Sequence, residues 1–517
     1  MKRLPLGIQD FRKLREEDLL YIDKTEDIYR LIQSGYYYFL SRPRRFGKSL
    51  LLSTLQEIFL GSKELFEGLW IEDKIEWVKH PVVHISFNAI GYKDLGLDRA
   101  IERELSHIAE NYGLRLESEG ISGKFRELLE RLASKGKKVV LLIDEYDKPI
   151  VDYIDDVEKA DQQRDILKNF YSIIKSADPS IRFFLVTGVS KFSRVSLFSD
   201  LNNLRDITLS PKFSCLTGYT HQELNHYFAD RIERICKMEG IPKDQLVEQI
   251  IHWYDGYSWD GKHRLFNPFS ILSYFSDESF FNYWWQTGTP SFLIKLLRKG
   301  MHYQLEEVEG GQDLFESYTL DNLEYRSLLF QTGYLTIHAV EPYGLYSLGY
   351  PNKEVRDSMY RHLLGAFRHA PTAETQPLIV KIKKALDAKN VDGFIQLVNI
   401  LFETPPYQIF IEEREAFFHA ILHIALNATG MFVETEVSTS KGRVDAVIHS
   451  DSTIYVMEFK LDESADEALQ QIRQQRYGSK YLGREKEVLA LGINFSSKQK
   501  AVTEWKAISY EQLLVEA

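Results

Sequence analysis

The sequence predicts an α/β protein with a parallel-sheet domain first, a mainly helical middle third, and a second α/β domain of order αβββαβ last. Three observations predict it. Apolar runs at 37–40, 82–87, 139–143 and 183–187 alternate with helical patterns at 50–59, 97–112 and 125–133. Strands separated by helices build parallel sheets. From about residue 220 the alternation gives way to helical stretches rich in Tyr, Phe and Trp, whose aromatics read mainly as core. After the breaker Thr404-Pro405-Pro406 the order is helix (412–426), three strands (432–437, 443–449, 453–460), helix (464–477) and strand (487–493).

Each part fits the length. At ~150 residues per domain, 517 residues hold three or four domains. The boundaries fall at 1–215, 216–300, 301–405 and 406–517, the third a helical or winged-helix-like linker. A short fifth strand is expected at 206–209, and a helix-linker-helix at 375–400. With 44% apolar and 27% charged residues the chain is ordinary globular material. A net charge of −11 argues against a basic coat but leaves room for local patches that meet phosphate. Two cysteines, Cys215 and Cys236, give neither a zinc ribbon nor a disulfide framework. The N-terminus lacks a signal-peptide core and no run of ~18 apolar residues occurs. A soluble, cytoplasmic protein without membrane spans is expected.

Ser41–Ser49 reads SRPRRFGKS. Gly47-Lys48-Ser49 is the end of a Walker A loop. Glycine lets the backbone approach phosphate, successive N–H groups form an anion nest, Lys48 reaches the β- and γ-phosphates, and the Ser49 hydroxyl ligates Mg²⁺. A strand precedes the loop and a helix follows, placing a helix N-terminus behind the phosphates. The first glycine of the full pattern is replaced by Arg42.

The second half of the signature is KKVVLLIDEYD at 137–147. A buried strand delivers Asp144 and Glu145 at its C-terminal edge, where α/β sheets bind ligands. Asp144 is expected to hold Mg²⁺ through water and Glu145 to polarise the attacking water. In the next strand, Thr187 or Ser190 suits a γ-phosphate sensor, and Arg194 or Arg205 an arginine finger. A strand cap and solvated arginines are the rival readings. Arg42, Arg44 and Arg45 lie inside the phosphate loop, so they are expected to serve nucleotide or a neighbouring subunit rather than DNA.

The segments YIDKTEDI, SRPRRFGKSLL, LLIDEYDKPI and LFSDLNNLRDITL resemble the bacterial and archaeal AAA-ATPase-like proteins. That family shares the RPRRFGKS loop, so Arg42 is what the resemblance leads one to expect. The resemblance runs from about Ile8 to Pro268. It implies a P-loop NTPase of the additional-strand class, close to the STAND and AAA+ branches, that uses ATP and Mg²⁺.

Near the C-terminus, 444–460 reads VDAVIHSDSTIYVMEFK. Asp445 sits in one strand. Glu458 and Lys460 sit in the next, two apart and on one face. Twelve residues separate the two acids, a spacing that fits a hairpin. Asp445 and Glu458 would converge on one divalent cation, with the Phe459 carbonyl, while Lys460 orients or helps deprotonate water. Hard oxygen ligands suit Mg²⁺ or Mn²⁺. A β-hairpin with a charged solvated face is the competing reading. The αβββαβ order and the Gln471…Tyr477 helix resemble the PD-(D/E)XK nuclease core and its RecB-like members, with Val444 in place of the proline. That resemblance implies a metal-dependent nuclease acting on DNA. Glu415 is a candidate extra acidic ligand, with Glu412 and Glu413 as rivals. Arg473, Arg476 and Lys480 are candidates for the phosphate backbone.

His419 and His423 share a helix face, but no HExxH pattern accompanies them, and packing is the better reading. Two functions stand open. One is an ATPase coupled to a metal-dependent DNA nuclease. The other is a STAND-like nucleotide-dependent switch whose C-terminal domain binds nucleic acid without cleaving it. Homo-oligomerisation is compatible with both.

Overall fold

The computed structural model describes residues 1–191, 197–198, 201–285, 291–306, 308–315, 324–403, 414–439, 442–483 and 485–515, with the side chains of 291–292, 372, 414–416, 435–439 and 442–444 left aside. The chain forms two compact units, Met1–Gly288 with Leu305–Val355, and Thr289–Gln304 with Arg356–Ala517.

The first unit is built on five parallel strands, β1 (Tyr37–Ser41), β2 (Val82–Ser86), β3 (Val139–Asp144), β4 (Ile181–Gly188) and β5 (Arg205–Asp206), in the order β2-β3-β4-β1-β5. β4 stands between β1 and β3, which is the arrangement that defines the additional-strand class. Strands β1 to β4 are largely apolar runs of aliphatic and aromatic residues. Phe39, Leu40, Leu141, Leu142 and Leu185 are fully buried, as expected for a sheet covered on both faces. The helix Lys48–Leu60 starts at Gly47, whose φ of 87° turns the chain out of β1, and stops at the left-handed Gly61.

Helix Val157–Ser176 crosses from β3 to β4 and is not anticipated above. Its sequence is mostly polar or charged, and only a narrow stripe (Ala160, Leu167, Phe170, Tyr171, Ile173, Ile174) is buried. In the middle third, helix His221–Tyr227 carries a capping box of Thr220 and Glu223, and Asn267 caps Pro268–Asp277. Residues 308–349 depart from the helical expectation. Strand β6 (Val308–Gly310), before helix Tyr325–Thr332, and strands β7 (Thr336–Glu341) and β8 (Leu345–Gly349), after it, form an antiparallel sheet of order β6-β8-β7. Tyr343 (φ 68°) and Gly344 (φ 78°) turn its hairpin.

In the second unit, the stretch expected as helix-linker-helix is Thr372–Asp387 and Val391–Phe402, the second capped by Asn390. After helix Arg414–Ala428 come β9 (Phe432–Thr439), β10 (Gly442–His449), β11 (Thr453–Leu461), β12 (Glu487–Ser496) and β13 (Ala501–Ser509), ordered β13-β12-β11-β10-β9. β11 and β12 are parallel, joined across helix Ala465–Gln474, and the other pairs are antiparallel. β13 and a last helix, Tyr510–Val515, extend the expected order. Residues 503–507 of β13 are exposed, as on an edge strand, so no apolar run announces it. No described helix is long and apolar enough to cross a membrane.

Candidate functional site

The sheet order brings the ends of β1, β3 and β4 together at one edge. Ser49 Oγ donates to Asp144 Oδ2 at 2.6 Å, and Thr187 Oγ1 donates to Asp144 Oδ1 at 2.7 Å. Two hydroxyls from neighbouring elements thus hold the β3 carboxylate in one orientation. Lys48 Nζ donates to the carbonyls of Arg42 and Pro43, each at 3.0 Å, which lays the ammonium across the loop. Burial pushes the Lys48 ammonium below its ordinary range, while Asp144, Asp147 and Glu145 pull the other way. Glu145 is left-handed (φ 52°), an uncommon conformation for a non-glycine residue. Burial, then repulsion from Asp144, raises its carboxyl.

Asp147, with no role in the sequence reading, is 2% exposed and accepts from Ser190 N and Oγ, both at 2.8 Å. It ties the chain after β3 to the chain after β4. A Cβ at Gly188 would lie 2.5–2.6 Å from Tyr146 and Asp147, so this contact is closed. Ser190 is therefore engaged with Asp147. Arg205 lies over the Phe213 ring, with 5.8 Å to its centroid. Arg194 lies outside the described residues.

Arg42 corrects the expectation that it serves nucleotide or a neighbouring subunit. It is fully buried, donates to the carbonyls of Ser41 (2.9 Å), Thr208 (2.8 Å) and Phe213 (3.4 Å), and packs over Trp259 at 4.1 Å. Burial brings its guanidinium down to about 9. Where a glycine would leave space, this side chain clamps the loop to the chain that follows β5. Arg45 has a φ of 65° and lies over Phe269.

In the second unit the β10–β11 register pairs Ala446 with Met457, which sets Asp445 against Glu458. The Phe459 N–H donates to Asp445 Oδ2 at 2.7 Å. Glu458 is 2% exposed, and its Oε2 has no hydrogen-bond partner among the described residues. Burial, then repulsion from Asp445, raises its carboxyl to about 8, with Lys460 opposing. Lys460 Nζ donates to Gln471 Oε1 at 2.6 Å, and Gln471 Nε2 reaches Tyr477 Oη at 3.5 Å. The crossover helix thereby fixes the lysine beside the acids. Asp445, Phe459, His419 and His423 line one pocket with Tyr303 and Leu426. His423 is buried, which lowers its imidazole to about 4, and His419 packs against the Phe459 ring. Among the described residues no three His, Cys, Asp or Glu side chains gather to hold a metal by themselves. Glu412 and Glu413 lie outside the described residues, and Glu415 lies on helix Arg414–Ala428. Lys480 is paired with Glu434 at 2.9 Å.

The family described as "Predicted AAA-ATPase" matches residues 5–198, and the PD-(D/E)XK nuclease superfamily matches 413–505. The chain is similar to an "Uncharacterized protein in vnfD 5'region" of Azotobacter chroococcum mcd 1, 38% identical over 516 residues, covering 97% of this chain and 98% of the relative. Among solved structures, the Aeropyrum pernix Orc1 protein in complex with DNA overlays with a TM-score of 0.27 at 12% identity, covering 66% of this chain and 92% of that one, a score at which no common fold is established. The chain belongs to the family of that Azotobacter protein, and in this chain an AAA-ATPase-like domain precedes a PD-(D/E)XK nuclease superfamily domain.

Proposed function

We propose that the chain binds and hydrolyses ATP in its first unit and cleaves DNA phosphodiesters at Asp445, Glu458 and Lys460 in its second. The observation that carries the reading is the Asp445–Glu458 pair. Two carboxylates face each other, one oxygen of Glu458 is buried without a donor, and its carboxyl is raised to about 8. A divalent cation relieves such a pair, so these residues fit Mg²⁺ or Mn²⁺. When bound, the cation supplies acidified water and charge neutralisation at phosphate. Asp445 and Glu458 would hold it, with Glu415 as an added ligand. Lys460, fixed by Gln471, would orient the attacking water and assist its deprotonation.

The first unit fits Mg²⁺ and ATP through its loop shape and its placed hydroxyl, carboxylate and lysine. Ser49 and Asp144 already touch, and the left-handed Arg45 and Gly47 bend the loop as an anion nest requires. Lys48 would meet the transferred phosphate's charge, Thr187 would keep Asp144 oriented, and Glu145 would accept a proton from the attacking water. Glu145→Gln keeps shape without the charge, so it should bind ATP and turn it over roughly a hundredfold more slowly. Lost binding would make Glu145 structural instead. This reading places the protein in the cytoplasm with DNA as partner.

The experiment is incubation of plasmid and single-stranded DNA with the full chain in Mg²⁺ or Mn²⁺, with and without ATP, beside Asp445→Asn. Cutting by the wild type alone supports the reading. If the wild type neither cuts nor binds Mn²⁺ with nucleic acid present, the second unit is a binding module on a nuclease fold.

A further inference from the structure

We infer that Trp284, held in place by Glu354, is a positioning residue for the phosphate loop: its indole N–H fixes the Arg44 carbonyl and thereby aims the Arg45 N–H into the anion cradle. The inference rests on the ATP-binding reading above. Trp284 Nε1 donates to Arg44 O at 3.2 Å. The Arg44–Arg45 peptide is trans, and a planar trans peptide points its C=O and N–H in opposite directions. With the carbonyl tied to the indole, the Arg45 N–H faces the other way, toward the side on which the loop meets phosphate. Arg45 sits at a φ of 65°, a left-handed conformation that a non-glycine residue keeps only where its surroundings hold it.

The indole is itself fixed. Trp284 is 6% exposed and lies against Tyr334 (5.2 Å between ring centroids) and Tyr257 (6.5 Å). Gly333 leaves no room: a Cβ there would meet Pro43 at 2.7 Å and the Trp284 ring at 3.4 Å. The Trp284 backbone N–H donates to Glu354 Oε1 at 2.7 Å, and Ser270 Oγ donates to Glu354 Oε2 at 2.7 Å. Glu354 is fully buried, and its two oxygens meet these two donors. Nucleotide affinity should then depend on two residues that touch no nucleotide.

The test uses the full chain. Trp284→Phe keeps a ring against Tyr257 and Tyr334 and removes the N–H. ATP and ADP affinity should fall about tenfold, the size of one lost hydrogen bond to a preorganised group. KM for ATP should rise alike, kcat should change far less, and the melting temperature should stay near the wild type. Glu354→Ala should show the same loss, and Glu354→Gln, whose amide oxygen still accepts from Trp284 N–H, should restore binding. Should Trp284→Phe fail to fold, the Ala and Gln variants of Glu354 carry the comparison. Affinity within twofold of wild type in folded Trp284→Phe or Glu354→Ala overturns the inference, as does equal loss in Glu354→Gln. A wild type that binds no nucleotide overturns the ATP reading instead.

Discussion

Each unit carries a carboxylate pair on a buried strand, and the company each pair keeps differs. In the first unit, both Asp144 oxygens are in use, one by Ser49 and one by Thr187. In the second, Asp445 accepts from the Phe459 N–H, while Glu458 keeps a buried oxygen without a donor and is raised to about 8. The first site is assembled from the protein's own hydroxyls and lysine. The second keeps one buried acid oxygen without a donor, while Lys460 opposes the rise of the Glu458 carboxyl. The lesson is that the same residue type at a strand end can have both oxygens met by donors or keep a buried oxygen without one, and the neighbours decide which.

The largest effect expected on the first side is from Lys48→Ala, which should lower ATP turnover a thousandfold or more, since the transferring phosphate's charge goes unmatched. Unchanged turnover in a phosphate-release assay would break the comparison at its better-anchored end. Asp445→Asn should lower cleavage by at least about a hundredfold and leave ATP binding intact, because Asp445 belongs to the second unit's acid pair and not to the phosphate loop. Lys460→Ala should still bind Mn²⁺ by calorimetry but fail to cut. A variant Asp445→Asn that binds Mn²⁺ as tightly as wild type would place the cation elsewhere.

A third test turns to Glu354, a buried acid outside both carboxylate pairs. Glu354 has its carboxyl raised from 4.5 to about 7, chiefly by burial. The folded state keeps a proton that the unfolded state has lost between those values. Stability therefore falls as pH rises through that window and levels off above about 7, by on the order of 3 kcal/mol. Glu354→Gln should flatten that fall in denaturant titrations from pH 4.5 to 7.5. An unchanged slope would assign the pH dependence to other groups.

The smallest effect concerns DNA. Neutralising Arg473, Arg476 and Lys480 should weaken binding about tenfold and flatten its salt dependence, with ATPase activity intact. Lys480 already pairs with Glu434, so the two arginines should supply most of the change. Unchanged binding and salt slope reject this surface.

Much of both sites was legible because the signals are local. GKS after an apolar strand, IDE at the end of another, and D…ExK on a hairpin each depend on spacing along a few residues, and periodicity fixes which side chains share a face. The parts that were not legible depend on packing. Helix Val157–Ser176 shows only a thin apolar stripe, the β6–β8 sheet is short, and β13 is an exposed edge strand. Arg42 reads as a cation beside phosphate, and only its burial under Trp259 and against the Thr208 carbonyl shows it to be an internal clamp.

The sequence by itself determined the α/β class, the two chemistry-bearing motifs and their order along the chain, because backbone propensity and hydrophobic period act within short windows. Tertiary structure decided that β4 separates β1 from β3, that Thr187 serves Asp144, and that Glu458 keeps an unanswered oxygen. It also decided that Arg44 and Trp284, 240 positions apart, share one hydrogen bond. Such pairings are set by how layers close around a core, and a short-range pattern holds no record of which distant residue will complete a buried polar group.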